Sequence, residues 1–148
     1  MDAGWAVRGT SRREEGLAQI EAAGIEPALA DPGRPGTVLE LVGDVAVVCW
    51  LLGSAQGAPD DVAAIHGARL ERILERLVDT PVRGFVYEAV GSVDAACLER
   101  GRAAVDAAAA TWQIPVAALE TDPANPSRWA EDALAATLGL TRQAGQLI

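Results

Sequence analysis

The segment Val45 to Leu52, VAVVCWLL, is the most apolar stretch of the chain and constrains the fold more than any other. An unbroken valine-rich run of this length fits a strand covered on both faces, which requires a parallel sheet with helices packed against it. Asp44 introduces the run, and GSAQGAP, Gly53 to Pro59, leaves it as a flexible turn. The rest of the chain reads as alternating strands and helices around this element.

Residues 5 to 10, WAVRGT, form a short apolar run entering Ser11. Ser11 and Glu14 have the spacing of a capping box, and Leu17, Ile20 and Ala23 continue at helical period towards a stop at Gly24. Ile25 to Asp31 predicts a strand, with Pro27 favouring an edge position. After the breakers of Pro32 to Gly36, a short helix is expected from Thr37 to Val42. Asp60 or Asp61 is expected to cap one long helix through Leu77, its core side carrying Ile65, Leu70, Ile73, Leu74 and Leu77. Val82 to Ala89 predicts a strand. An alanine-rich helix follows from Ser92 or Asp94 to Trp112. Ile114 to Leu119 predicts the last strand, and Ser127 to Leu138 a final helix anchored by Trp129 and Leu134. The tail TRQAGQLI is weakly specified.

Charge and residue usage narrow the chemistry. The 148 residues carry Lys+Arg 12 against Asp+Glu 21, a net charge of -9 that argues against nucleic acid and against an anionic membrane as partners. No apolar stretch is long enough to span a bilayer, and the opening has no signal-peptide pattern, so a cytoplasmic location is expected. Cys49 and Cys97 are too few for a disulfide framework and too isolated for a zinc site, so no metal is expected. The chain contains no lysine. Schiff-base chemistry, a Walker-type ATPase and a Tyr-Lys proton-transfer pair are therefore excluded.

With these segments in order, the chain resembles the extended and atypical short-chain dehydrogenases, the NAD-dependent epimerase-like Rossmann family. The carrying segments are AVRGTSRR (6–13), GIEPALAD (24–31), GDVAVVCWLLG (43–53) and VRGFVYEAVG (82–91), with IPVAALETDP (114–123) as a weaker match. In that family they are similar to the second to sixth strands, and together they cover roughly four-fifths of the chain. The resemblance implies an α/β, three-layer Rossmann-like domain with a mostly parallel sheet, N-terminally truncated relative to the family, as a single domain over 1–148. MDAGWAV is similar to the end of the family's first helix and the start of its second strand, so the family's first strand and glycine-rich turn, which receives a dinucleotide pyrophosphate, have no counterpart in this sequence.

The resemblance also implies a set of cofactor residues. Arg12 and Arg13, just after the second-strand segment, correspond to the turn that selects NADP through its 2′-phosphate; otherwise they are solvated charges balancing Glu14 and Glu15. Asp31 corresponds to a residue that bonds the adenine amino group, or it caps the turn before Pro32. Gly53 and Ser54 leave the fourth-strand segment where the family's chain passes close to the cofactor, or they form a plain turn. An NADP cofactor is thus implied, with weak or absent binding in a chain lacking the glycine-rich turn.

No catalytic residue is identified. Where the family has a Tyr-x-Ser-Ser-like segment, this chain reads Tyr87, Glu88, Ala89, Val90, and the Tyr-x-x-x-Lys motif is ruled out. His66 reads as a satisfied or solvent-facing histidine, or as a general base. Cys49 and Cys97 read as core residues. Glu88 reads as an exposed loop-end charge, or as a carboxylate in the crevice at the strand ends. Trp5, Trp50, Trp112 and Trp129 read as packing residues. Three functions follow: a divergent NAD(P)-binding, oxidoreductase-like domain without the usual catalytic machinery; a noncatalytic structural or regulatory scaffold; and a small-molecule isomerase or hydrolase using Asp31, Glu88 or His66. A homodimer is expected through the helices from Asp61 to Leu77 and from Asp94 to Trp112, the family's usual two-fold contact.

Overall fold

The computed structural model describes residues 6–146, and side chains within 6–141. Five strands, β1 (Arg8–Ser11), β2 (Glu26–Leu29), β3 (Val47–Trp50), β4 (Gly84–Glu88) and β5 (Val116–Leu119), alternate with six helices. These are α1 (Glu14–Ala22), α2 (Pro35–Leu39), α3 (Pro59–Ile65), α4 (Ala68–Leu77), α5 (Ala95–Trp112) and α6 (Pro126–Gln146). Every described strand pair is parallel. The reading of MDAGW as a helix end, and that of Trp5, lie outside the described residues.

The ladder falls into two sheets, β1-β2 and β3-β4-β5. β4 is the central strand of the larger sheet and is buried at all its positions. α4 and α5 cover one face of this sheet, with Leu70, Ile73, Leu74, Leu77, Val105 and Ala108 packed against Phe85 and Tyr87. α6 covers the other, packing Leu140 and Trp129 with Val86 and Leu119. The result is three layers: helices, parallel sheet, helix. Arg8 ties the smaller sheet to the start of β3, donating to the Leu41 carbonyl at 2.7 Å and pairing with Asp44 at 3.0 Å and Glu26 at 3.3 Å.

Several sequence expectations are corrected. β3 is covered on both faces as expected, Val48 and Trp50 packing towards α4 and α5 and Val47 towards α6. It pairs along one edge only, with β4, so it is not the central strand, and Cys49, read as a core residue, is exposed. Leu51, just beyond β3, is 39% exposed. The long helix expected from Asp60 or Asp61 to Leu77 is two helices broken at His66–Gly67, and the first begins at Pro59 with Ala58 as its cap. The break turns the His66 side chain inward. The Ser11–Glu14 capping box does not form. Ser11 Oγ instead accepts from the Arg13 N–H at 3.1 Å and donates to the Arg13 carbonyl, so the helix starts at Glu14 with Arg13 as its cap. Leu134 is 49% exposed rather than an anchor, and α6 runs on through Gln146.

Other expectations hold. Gly24 has φ 79, as a left-handed helix stop requires, and β2 with Pro27 pairs only with β1. Asp94 caps α5, accepting from the Ala96 N–H at 3.1 Å.

Candidate functional site

The strand ends bring two cavities to one edge of the sheets, the edge where parallel α/β folds take their ligands. The first lies beyond β3, β4 and β5. It is an open crevice of about 370 Å³ lined by Leu51, Ser54, Ala55, Glu88, Pro123, Pro126 and Trp129. The second, about 450 Å³, lies between the end of β1 and the loop after β3, and is lined by Ser11, Arg12, Arg13, Gln56 and Gly57.

Glu88 is the floor of the first crevice. It is the last residue of β4, only 3% exposed, and its side chain is held at both oxygens. Oε1 accepts from the Gly53 backbone N–H at 2.8 Å, and Oε2 accepts from Trp129 Nε1–H at 2.7 Å. Both donors are neutral, and among the described residues no arginine or histidine forms an ion pair with this carboxylate. Of the two readings of Glu88 from sequence, the crevice carboxylate is the one realised.

Gly53 and Gly91 permit this geometry. The Gly53 carbonyl lies so close to Gly91 that a β-carbon there would overlap it, and a β-carbon at Gly53 would meet the Glu88 carboxylate at 2.9 Å. The Gly53 carbonyl accepts from the Val93 N–H at 3.0 Å, and Ser54 Oγ accepts from the Ser92 N–H at 3.2 Å. Gly53 and Ser54 therefore lock the loop after β3 to the loop after β4, with Ser54 also facing the crevice.

Behind the crevice, His66 and Tyr87 form a closed pair. His66 is 0% exposed; its Nε2 faces the Leu52 carbonyl at 2.9 Å and its Nδ1 the Tyr87 hydroxyl at 2.7 Å. A carbonyl can only accept, so Nε2 carries the proton of the neutral ring and Nδ1 accepts from Tyr87. Burial pushes the His66 imidazolium pKa below its ordinary value and the Tyr87 phenol pKa above its own. His66 is thus a satisfied core histidine, and the only tyrosine of the chain points away from the crevice.

Arg12 and Arg13 occupy the second cavity. Neither forms an ion pair with Glu14 or Glu15, nor with any other acidic residue among the described ones. Asp31 stands apart from both cavity walls, its Oδ1 accepting from the Gly33 N–H at 2.8 Å in a tight turn. The structure therefore gathers Arg12 and Arg13 in one cavity and Ser54 in the other, while Asp31 and the Gly53 backbone serve their turns. Gln56 and Gly57, opposite the arginines, were missed from sequence, as was the pairing of Trp129 with Glu88. The position of Pro123 to Pro126 just after the last strand is the signal that could have found the outer crevice wall.

Among the described residues, no group of three or more metal-ligating side chains is assembled, and no helix is long and apolar enough to cross a membrane.

No protein-family model and no curated protein matches the sequence. Among solved structures, the chain is similar to the triphenylmethane reductase of Citrobacter sp. in complex with NADP(H), at TM-score 0.58 and 16% identity over 78% of this chain. A second structure of the same Citrobacter enzyme gives TM-score 0.57 and 15% identity over 77%. The chain spans about 40% of the length of that reductase. What the likeness establishes is the fold, a Rossmann-like parallel α/β architecture in which the crevice and the arginine cavity both lie at the strand ends.

Proposed function

We propose that this chain is a divergent NADP-binding, oxidoreductase-like domain that lacks its family's usual catalytic machinery. The observation that carries the reading is the placement of Arg12 and Arg13. They line a ligand-sized cavity at the end of β1 and, among the described residues, have no acidic partner. Two guanidinium groups free of carboxylates fit a phosphate oxyanion, which is what separates NADP from NAD. The NADP(H) held by the Citrobacter reductase of similar fold supports the same reading.

In this arrangement Arg12 and Arg13 would hold the 2′-phosphate, and Ser54 would border the far end of the cofactor. NADP, when bound, supplies hydride chemistry. The residues of the chain do less than in the resembling family. Tyr87 is enclosed and committed to His66, so its hydroxyl cannot reach a substrate in the crevice. Ser54 and Glu88 are the hydroxyl and carboxyl groups on the crevice wall, and both are engaged in holding loops together. Of the residues offered for an isomerase or hydrolase, Asp31, Glu88 or His66, Asp31 caps a turn and His66 has no exposed surface, which leaves Glu88 alone on the crevice wall.

Calorimetric titration with NADP and NAD tests the proposal. Without a pyrophosphate-binding glycine turn among the described residues, NADP is expected to bind with a Kd above about 10 µM, and NAD more weakly still. Equal affinities, or no heat with either cofactor at millimolar concentration, would overturn it.

A further inference from the structure

The larger sheet ends at β3 and the smaller at β1, and these two open edges run side by side. We infer that the gap between them is a docking site for one apolar β-strand of another polypeptide. Two ties hold the edges together in the same direction. Near their starts, the Arg8 guanidinium donates to the Leu41 carbonyl at 2.7 Å and pairs with Asp44 at 3.0 Å. Beyond their ends, Arg12 and Arg13 share a cavity wall with Gln56 and Gly57. β1 and β3 nevertheless form no ladder with each other. Neighbouring strands stand about 4.8 Å apart, so edges tied at both ends yet unpaired leave a space of strand width.

Both edges aim backbone groups into this gap. The Val7 and Ser11 carbonyls accept from the Glu26 and Ala30 N–H groups on the β2 side, and the Ala46 carbonyl accepts from the Arg83 N–H on the β4 side. Backbone groups alternate in direction along a strand. Those of Arg8 and Thr10 therefore turn away from β2, and those of Val47 and Cys49 away from β4. Among the described residues no strand meets either row, and such rows are templates for a further strand. The layers above and below set the side chains of the occupant. On the α6 side Cys49 is exposed, and Leu134, one helical turn from the Thr137 that touches Cys49, is half exposed. On the other side Val38 and Leu39 of α2, together with Val45, are only partly buried. Apolar residues on both faces of an entering strand cover these groups, whereas a central charge would be buried unpaired. The described strands and helices all have their places, and residues 1–5 are too few to reach back. A parallel crossover takes about a dozen residues, and a two-residue hairpin turn would leave fewer residues than β3 has. The gap needs no cofactor, so its failure and the failure of the NADP reading are separable.

The probe is a short synthetic peptide with valine and isoleucine at its central positions and a lysine at each end for solubility. Its twin carries proline at two central positions, so it has the same charge but cannot pair as a strand. Both are titrated into the natural chain without cofactor, and amide hydrogen exchange is followed by NMR. The expected result is saturable binding with a Kd below about 100 µM, and binding of the twin at least about tenfold weaker. Exchange at the Thr10 and Cys49 N–H groups is expected to slow together, because one strand seated in the gap touches both edges. Thr10→Pro removes an N–H that β1 does not use towards β2, so the fold is expected to persist while peptide binding weakens at least about tenfold. If that variant does not fold, Cys49→Pro makes the same test from the β3 edge. No binding at millimolar peptide, equal binding of the twin, or slowed exchange at only one edge overturns the inference, as does unchanged peptide affinity in a folded proline variant.

Discussion

The Tyr87 hydroxyl meets His66 Nδ1 at 2.7 Å in the space between β4 and α5, and both side chains are fully enclosed. The same hydroxyl lies 3.2 Å from the Leu98 carbonyl. Tyr87→Phe removes the only proton offered to Nδ1 and leaves a buried acceptor unsatisfied. A loss of about 1–3 kcal/mol is expected, read as a lower urea midpoint with unchanged slope.

The pH dependence of stability follows from the same pair. Burial holds the folded-state pKa of His66 below its unfolded value of about 6.5, so the unfolded chain binds the proton more readily. The His66 contribution to stability is therefore complete above about pH 6.5 and declines as the pH falls from there towards the lowered folded-state value. Thermal melts across pH 8 to 5 are expected to fall more steeply for the natural chain than for His66→Gln. Parallel profiles would show that His66 is not the titrating group.

Gly101 allows α5 to lie on Tyr87, since a β-carbon at this position would overlap the tyrosine hydroxyl. Tyr87 is locked by its neighbours, so Gly101→Ala is expected to cost towards the upper end of about 1–3 kcal/mol despite the better helix propensity of alanine. Gly139, in α6 with open space around it, provides the contrast. Gly139→Ala is expected to stabilise by about 0.5–1 kcal/mol. In the Tyr87→Phe background the cost of Gly101→Ala is expected to shrink, because the overlapping oxygen is gone.

Trp129 joins α6 to β4 through the Glu88 carboxylate. Trp129→Phe keeps the apolar contact and removes the donor, leaving a buried carboxylate oxygen without a partner. An equilibrium loss of about 1–3 kcal/mol is expected, together with faster amide exchange along α6. Unchanged stability would show that the bond contributes nothing net.

The legible parts of the fold are those set by local pattern. α5 is bounded by Asp94 and Trp112 as its cap and alanine content predict, and β4 and β5 fall inside the strands read from Val82 to Ala89 and Ile114 to Leu119. What could not be read depends on distant partners. Gly67 and the five-residue step from Ile65 to Leu70 mark a weak point in the helical pattern, but the inward turn of His66 is set by distant partners, since its ring is held by Leu52 and Tyr87. Continuous apolarity in Val45 to Leu52 reports how many faces a strand covers, not how many neighbours it has. The burial of Glu88 rests on donors 35 and 41 residues away, and a carboxylate at a strand end looks the same whether or not they arrive.

The expected dimer is a proposal that the structure makes more specific. Ala108 points into the core of the chain and Ala107 outwards, so a charge at Ala108 would unfold the domain rather than split a dimer. Sedimentation at several micromolar is expected to give about twice the 15.3 kDa chain mass, returning to the monomer mass for Ala107→Glu. A concentration-independent monomer in the natural chain would exclude the stable dimer.

The central claim is that Arg12 and Arg13 form the phosphate end of an NADP site, and a fragment titration isolates it from every other cofactor contact. Adenosine 2′,5′-bisphosphate and adenosine 5′-monophosphate are titrated calorimetrically into the natural chain and into the Arg12→Ala, Arg13→Ala double variant. The natural chain is expected to favour the 2′-phosphorylated fragment by at least about tenfold, and the double variant to lose that preference while remaining folded. Equal binding of the two fragments by the natural chain, or a preference that persists without the arginines, would contradict the assignment.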